Sequence, residues 1–339
     1  MTAEPFNEDS LIVSSAYEET MNNVVLPYLE TRVRRETLHG ADQAPLACAV
    51  YSAEAPAGTL VLVHGFTESA FKFSELIYSL LRNRFNVVTL DQRGHGHSWR
   101  KEGLSNVGDT HVEHFADYVS DLKIVCDRLL APLQKPWCLF GHSMGGAVSV
   151  LFLEQYPEFF SRAVLCAPMI APDRSGVPYG IAASLCHAAR AIGHGSRRVF
   201  FFKPYSGPEN FETSCATDPA RFAWYDGIRV SHPEYQNCAP TYTWTLESMR
   251  VTRKILAPGA PERIACPVRL YGAEEDHSVL SEPQKQFISR VPMGEYSLVP
   301  RSRHEIYRSE DAVLFPWWHE ILRFLSLPAA SMARKAEMK

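Results

Sequence analysis

No Cys-x-x-Cys pair occurs in the 339 residues although the chain carries 8 cysteines, and this excludes zinc-ribbon and thioredoxin-type sites. Several of those cysteines, such as Cys138 and Cys166, sit in apolar runs where a free thiol packs as a small hydrophobe. A reduced, intracellular protein is therefore the simplest reading. Also missing is any apolar run approaching the roughly 20 residues that a membrane helix needs. The start, Met1-Thr2-Ala3-Glu4, is acidic and lacks the basic start and apolar core of a signal peptide. A soluble, cytoplasmic location is expected, with contact at the inner face of a membrane left open. Basic excess is lacking too: the formal charge is -4, so nucleic acid is not expected as a partner. Histidine is plentiful but scattered. His95 and His97 have no neighbouring carboxylate to complete a ligand set, and His111-Val112-Glu113-His114 resembles no zinc signature. No metal and no cofactor are expected.

What the chain does have is an alternation of two kinds of segment. Thr59-Leu60-Val61-Leu62-Val63, Asn86–Leu90, Trp137–Phe140 and Ala163–Cys166 are short apolar runs without polar alternation, as in parallel strands covered on both faces. Between them lie helical stripes: Phe73, Ile77, Leu80 and Leu81, then Phe115, Val119, Leu122, Cys126 and Leu129. Thr110 and Glu113 have capping-box spacing for the second of these helices. The segment after Ser143 is apolar nearly all round, which predicts a buried helix stopped by Pro157. Such alternation predicts a mostly parallel, doubly wound α/β sheet with right-handed crossovers.

The rhythm stops after Met169 and resumes at Pro267–Gly272, with a helix near 281–290, a strand near Glu295–Val299 and a last helix carrying Leu314, Trp317, Ile321 and Leu325. The expected organisation is a sheet core over 31–169 and 264–327, with a helical cap (170–263) inserted after the sixth strand. Residues 1–30 form an N-terminal extension and 328–339 a C-terminal tail, with 1–15 and 328–339 frayed. Neither an internal repeat nor a low-complexity tract is present.

The sharpest chemical signal is Gly141-His142-Ser143-Met144-Gly145-Gly146, directly after an apolar strand and before the buried helix. That context is what a Gly-x-Ser-x-Gly nucleophile elbow demands, because a tight turn lifts the hydroxyl clear of the sheet. A serine hydroxyl is a weak nucleophile until a base takes its proton. His304 follows the final apolar strand and is the candidate base; His187, His194, His232, His277 and His319 are less suitably placed. The acid is expected after the strand ending at Gly272, where Asp276 is preferred, Glu275 is next and Asp173 is a remaining alternative. Backbone N–H groups of Phe66 and Met144 are the candidate oxyanion hole. His64, Gly65 and the Asp91–Ser98 loop read as structural turns beside the site.

With these residues in hand, the chain resembles the α/β-hydrolase superfamily. More narrowly it resembles the bacterial lysophospholipase and monoacylglycerol lipase group, which is serine aminopeptidase S33-like. The supporting stretches are Gly65–Ser69, Asp91–Ser98, Gly141–Gly146 with Ala167-Pro168-Met169, Pro240–Trp244 with Glu247-Ser248, and His304-Glu305-Ile306. The acid loop departs from the pattern in its three adjacent carboxylates, Glu274, Glu275 and Asp276. The resemblance implies hydrolysis of single-chain lipid esters, lysophospholipid or monoacylglycerol, through an acyl-enzyme on Ser143. A general carboxylesterase, thioesterase or acyltransferase shares the same residues, and a non-catalytic binding protein on this fold is a further alternative. In the cap, Val199-Phe200-Phe201-Phe202 between Arg197, Arg198 and Lys203 suits a lipid–water interface, or else packs the cap onto the core.

Overall fold

Eight strands form one sheet in the order β1-β2-β4-β3-β5-β6-β7-β8 in a computed structural model that describes residues 6–7, 10–173 and 176–327. The strands are β1 (Val33–His39), β2 (Pro45–Tyr51), β3 (Gly58–Val63), β4 (Phe85–Leu90), β5 (Trp137–His142), β6 (Arg162–Cys166), β7 (Val268–Ala273) and β8 (Gly294–Val299). Pairing is antiparallel from β1 to β2 and from β2 to β4, and parallel from β4 through β8.

Six of these strands follow the apolar runs read in the sequence. β1 and β2 are additional. Exposed Arg34, Arg35 and Thr37 break up any apolar run in β1, which lies at the sheet edge. Charged edge strands of this kind resist edge-to-edge pairing with other chains.

Side chains of the central strands alternate between two cores. Val61, Val63, Leu139, Ala163 and Leu165 face a layer containing α2 (Ala116–Leu129), α3 (Ser143–Gln155) and α7 (Ser281–Ser289). Their neighbours Leu60, Leu62, Phe140, Val164 and Cys166 face α1 (Ser74–Arg82) and α8 (Asp311–Ser326). Covering both faces explains why these strands read as continuous apolar runs. All eight cysteines are free thiols.

Between β6 and β7 the chain leaves the sheet and forms α4 (Tyr179–Ala191), α5 (Pro219–Ser231) and α6 (Tyr242–Ile255). A short ladder pairs Asp109–Thr110 with Ala239–Pro240 and joins this insertion to the loop after β4. Asn237 reinforces the join by donating to the Gly94 carbonyl at 2.8 Å and to Thr110 Oγ1 at 2.7 Å. In the Pro240–Ser248 stretch, Trp244 Nε1–H donates to Tyr118 Oη at 3.1 Å and Glu247 accepts the Phe115 N–H at 3.2 Å.

Two sequence expectations change. Thr110 lies in the short ladder and Glu113 accepts from Lys101, so neither caps α2; Glu247, from α6, bonds the N–H at its entry instead. The expected fray over residues 1–15 does not extend through Ser10 and Ile12, which are 1% and 2% exposed. There the Ser14 N–H donates to Asp311 at 2.9 Å. Helical turns from Tyr17 to Glu30 then bury Tyr17, Met21, Val25 and Leu29, a stripe at every fourth position. The tail at 328–339 lies outside the described residues.

Candidate active site

The parallel strands all point their carboxyl ends to one side, and chain direction across the sheet reverses at β3, whose neighbours are β4 and β5. Loops leaving strand ends at such a reversal surround a crevice. Four of them matter here: Phe66 follows β3, Ser143 follows β5, Asp276 follows β7 and His304 follows β8.

Ser143 opens α3 with φ of 51°, in the left-handed region that costs a non-glycine residue energy. The turn is tolerated because its flanks lack side chains. A Cβ at Gly145 would overlap the carbonyl oxygens of Val63 and His64, and one at Gly141 would overlap the Ser149 hydroxyl and the Gly145 carbonyl. Only glycine lets strand, turn and helix approach this closely. As α3 is apolar all round and buried, it also anchors the turn rigidly.

The structure brings three of the sequence-predicted residues together. Ser143 Oγ lies 2.8 Å from His304 Nε2, and His304 Nδ1 lies 2.8 Å from Asp276 Oδ2. A carboxylate only accepts, so Nδ1 carries the imidazole proton and Nε2 is left to accept from the serine hydroxyl. Asp276 Oδ1 accepts the Ser278 and Val279 N–H groups at 2.8 and 3.1 Å. Burial pushes the Asp276 carboxyl upward, but the bond to His304, its charge and those two amides outweigh burial and hold it below the usual carboxylate range. Glu275 and Asp173, the other acid candidates, have exposed side chains, and Glu274 accepts the Arg301 N–H at 2.8 Å.

Met144 follows the serine in the chain, and Phe66 lies in the loop after β3. The Met144 N–H belongs to the first turn of α3, where a helix offers its own amides no acceptor. The Phe66 loop is held by its carbonyl, which lies 2.6 Å from His95 Nε2, and by its ring, whose centroid is 4.2 Å from that of Trp244. Since a carbonyl oxygen can only accept, His95 must donate from Nε2.

His64 accepts the Gln92 N–H at 2.9 Å and donates from Nδ1 to the Gly65 carbonyl at 2.8 Å. Burial holds the His64 ring below the ordinary histidine range. Asp91 accepts the Ala70 and His97 N–H groups at 2.8 and 2.9 Å, shaping the loop after β4.

Beside His304 lies a buried polar cluster whose pairing the sequence did not show. His142, Glu68, Lys72, Tyr307, Glu305 and Arg308 are each under 9% exposed. Lys72 Nζ is 2.5 Å from Glu305, Glu305 is 2.6 Å from Arg308, and Tyr307 Oη donates to Glu68 at 2.5 Å. These residues come from three distant segments, so no local spacing could have revealed them.

Comparison with known proteins agrees with this architecture. Residues 54–311 match the family model described as serine aminopeptidase, S33. Lysophospholipase L2 of Escherichia coli (strain K12) is 28% identical over 307 residues, covering 85% of this chain and 86% of that protein. Monoglyceride lipase of Mus musculus is 33% identical over 135 residues, covering 39% of this chain and 42% of that one. Among solved structures, a soluble variant of monoglyceride lipase from Saccharomyces cerevisiae, in complex with a substrate analog, superposes with a TM-score of 0.69 at 19% identity. That match covers 86% of this chain and 94% of the yeast chain, and it speaks to fold. A sheet with this order, an elbow serine at its carboxyl edge and a family match across most of the length lead to one conclusion: the chain is an α/β-hydrolase and belongs to the serine aminopeptidase S33 family.

Proposed function

We propose that the protein is a serine hydrolase cleaving carboxylic esters of single-chain lipids, lysophospholipid or monoacylglycerol, through an acyl-enzyme. The observation that carries the reading is the unbroken relay Ser143–His304–Asp276, with both links at 2.8 Å. In the first half-reaction the Ser143 Oγ proton passes to His304 Nε2 while Oγ bonds the ester carbon. The carbonyl oxygen becomes an oxyanion, received by the Phe66 and Met144 N–H groups. Collapse breaks the bond to the leaving alkoxide, which takes the proton from His304. Water then repeats the sequence on the acyl-serine, with His304 again as base, and releases the fatty acid and free serine. Asp276 holds the productive tautomer throughout and stabilises the imidazolium without taking its proton.

The lipid part of the reading rests on the relatives' activities and on the insertion over residues 170–263, which serves as a cap. Its outer side exposes Ile181 at 64%, Ile192 at 69%, Phe200 at 73% and Phe201 at 61%. Aromatic and aliphatic side chains beside Arg197 and Lys203 suit transient contact with an anionic membrane surface. No helix among the described residues is long and apolar enough to cross a membrane.

A fluorophosphonate probe is expected to label wild-type protein at Ser143 and to leave Ser143→Ala unlabelled. Folded wild-type protein that resists the probe would instead favour a binding protein. Turnover of monoacylglycerol and lysophosphatidylcholine should exceed that of short p-nitrophenyl esters. Preference for the short esters would favour a general carboxylesterase.

A further inference from the structure

His142, the residue before the serine, is 1% exposed. Its Nδ1 lies 3.0 Å from Glu68 Oε2, and its Nε2 lies 3.1 Å from the carbonyl oxygen of His304. A carboxylate and a carbonyl can only accept, so an imidazolium, donating from both ring nitrogens, satisfies both contacts. Burial opposes that charge, but the Glu68 carboxylate, the bond to it, Glu305 and the His304 carbonyl outweigh burial and raise the ring above the ordinary histidine value.

Glu68 is the second half of the device. It accepts the Gly65 N–H and the Tyr307 hydroxyl as well as the His142 proton. Lys72 stands 3.8 Å away and is shared with Glu305, which pairs in turn with Arg308. Glu68 therefore grips the turn that carries Phe66, while His142 grips the backbone of the base. Burying five charged groups carries a desolvation penalty that their pairing must offset. Apolar side chains of equal volume would fill the space with less penalty, so packing alone does not account for the cluster.

We infer that His142 is a positioning residue: its ring, donating from both nitrogens, ties the His304 backbone to Glu68 and thereby to the Gly65–Phe66 turn. Base and oxyanion loop are thus held in register over Ser143 by one buried pair. Such registration matters because a misplacement of about 1 Å in a reacting group can cost about 10²-fold in rate. The inference rests on the proposed roles of Ser143 and His304.

The test compares His142→Phe, which keeps a ring and removes both donors, with His142→Gln, which keeps one donor able to reach the His304 carbonyl. On a soluble p-nitrophenyl ester, His142→Phe should lower kcat by about 10–100-fold with KM within about twofold. Fluorophosphonate labelling should slow by the same factor, and His142→Gln should recover part of the loss. A purely structural role would lower the yield of folded protein without this split between kcat and KM.

Folded His142→Phe with kcat within twofold of wild type would overturn the inference, as would a rise in KM at constant kcat. If His142→Phe does not fold, His142→Gln decides: kcat reduced about fivefold or more at constant KM supports the inference, and unchanged kcat overturns it. Ser143→Ala, run in parallel, separates the two levels. Activity surviving in Ser143→Ala defeats the reading of the whole site, whereas an inactive Ser143→Ala beside an unaffected His142→Phe defeats only the role of His142.

Discussion

Replacing Asp276 by Asn changes little in shape and reverses one hydrogen bond. In the native site Oδ1 accepts the Ser278 and Val279 amides, and Oδ2 accepts from His304 Nδ1 at 2.8 Å. Asparagine can keep both amide bonds only by placing its carbonyl oxygen at the Oδ1 position. Its NH2 group then faces His304 Nδ1 and donates to it. The imidazole proton moves to Nε2, which can no longer accept from the Ser143 hydroxyl. Loss of that tautomer is expected to lower kcat by about 10³–10⁴, or roughly 4–5.5 kcal/mol of transition-state stabilisation.

Folding should largely survive, since the amide bonds are retained. A pH-dependent difference will still appear. The folded Asp276 carboxyl lies below its ordinary value, so its stabilising contribution is present above the unfolded value of about 3.9 and is lost as pH falls through the folded one. Asp276→Asn lacks that contribution and should show a flatter acid denaturation profile. Initial rates on a p-nitrophenyl ester and thermal melts across pH 3–7 measure both effects. A folded Asp276→Asn enzyme within tenfold of wild type, or an equal loss from Glu275→Gln, would refute the reasoning.

Three further outcomes are expected. Arg221 is fully buried between Glu75 (2.9 Å), Asp218 (3.2 Å) and Asp311 (2.8 Å) and donates to the Ile12 carbonyl. Arg221→Met strands those carboxylates and should cost about 3–5 kcal/mol in urea unfolding; a loss below about 1 kcal/mol contradicts this. Burial pushes the Glu154 carboxyl up to about 8. A raised value means stability is fully present below the ordinary carboxyl value and is lost as pH rises toward 8. Glu154→Gln should therefore gain on wild type in melting temperature between pH 5 and 8, with little difference near pH 4; a constant offset counts against it. Phe200→Ser combined with Phe201→Ser should reduce co-sedimentation with anionic phospholipid vesicles severalfold, and unchanged binding would remove the cap from the interface.

How far the sequence could be read differs from element to element. The strands β3, β4, β5 and β6 were visible because each is buried on both faces, and the elbow because its glycines mark a turn that tolerates no Cβ. β1 was hidden by exposed arginines, and the Tyr17–Leu29 stripe by its spacing of four through a π-turn. The entry to α2 could not be found locally because the group bonding it belongs to α6, 132 residues away.

Residue type and order along the chain were enough for the parallel sheet, the insertion between its halves and the short roster of Ser143, His304 and three adjacent carboxylates. Local geometry has local causes: a strand covered on both faces and a glycine-bounded turn leave their marks in consecutive residues. Which carboxylate meets His304 was decided by the fold, since only Asp276 lies under the ring while Glu275 faces solvent. The fold also decided what favours the charged form of His142, because the two acceptors at its ring come from residues 68 and 304. Protonation depends on what surrounds a group in space, and no spacing along the chain encodes that.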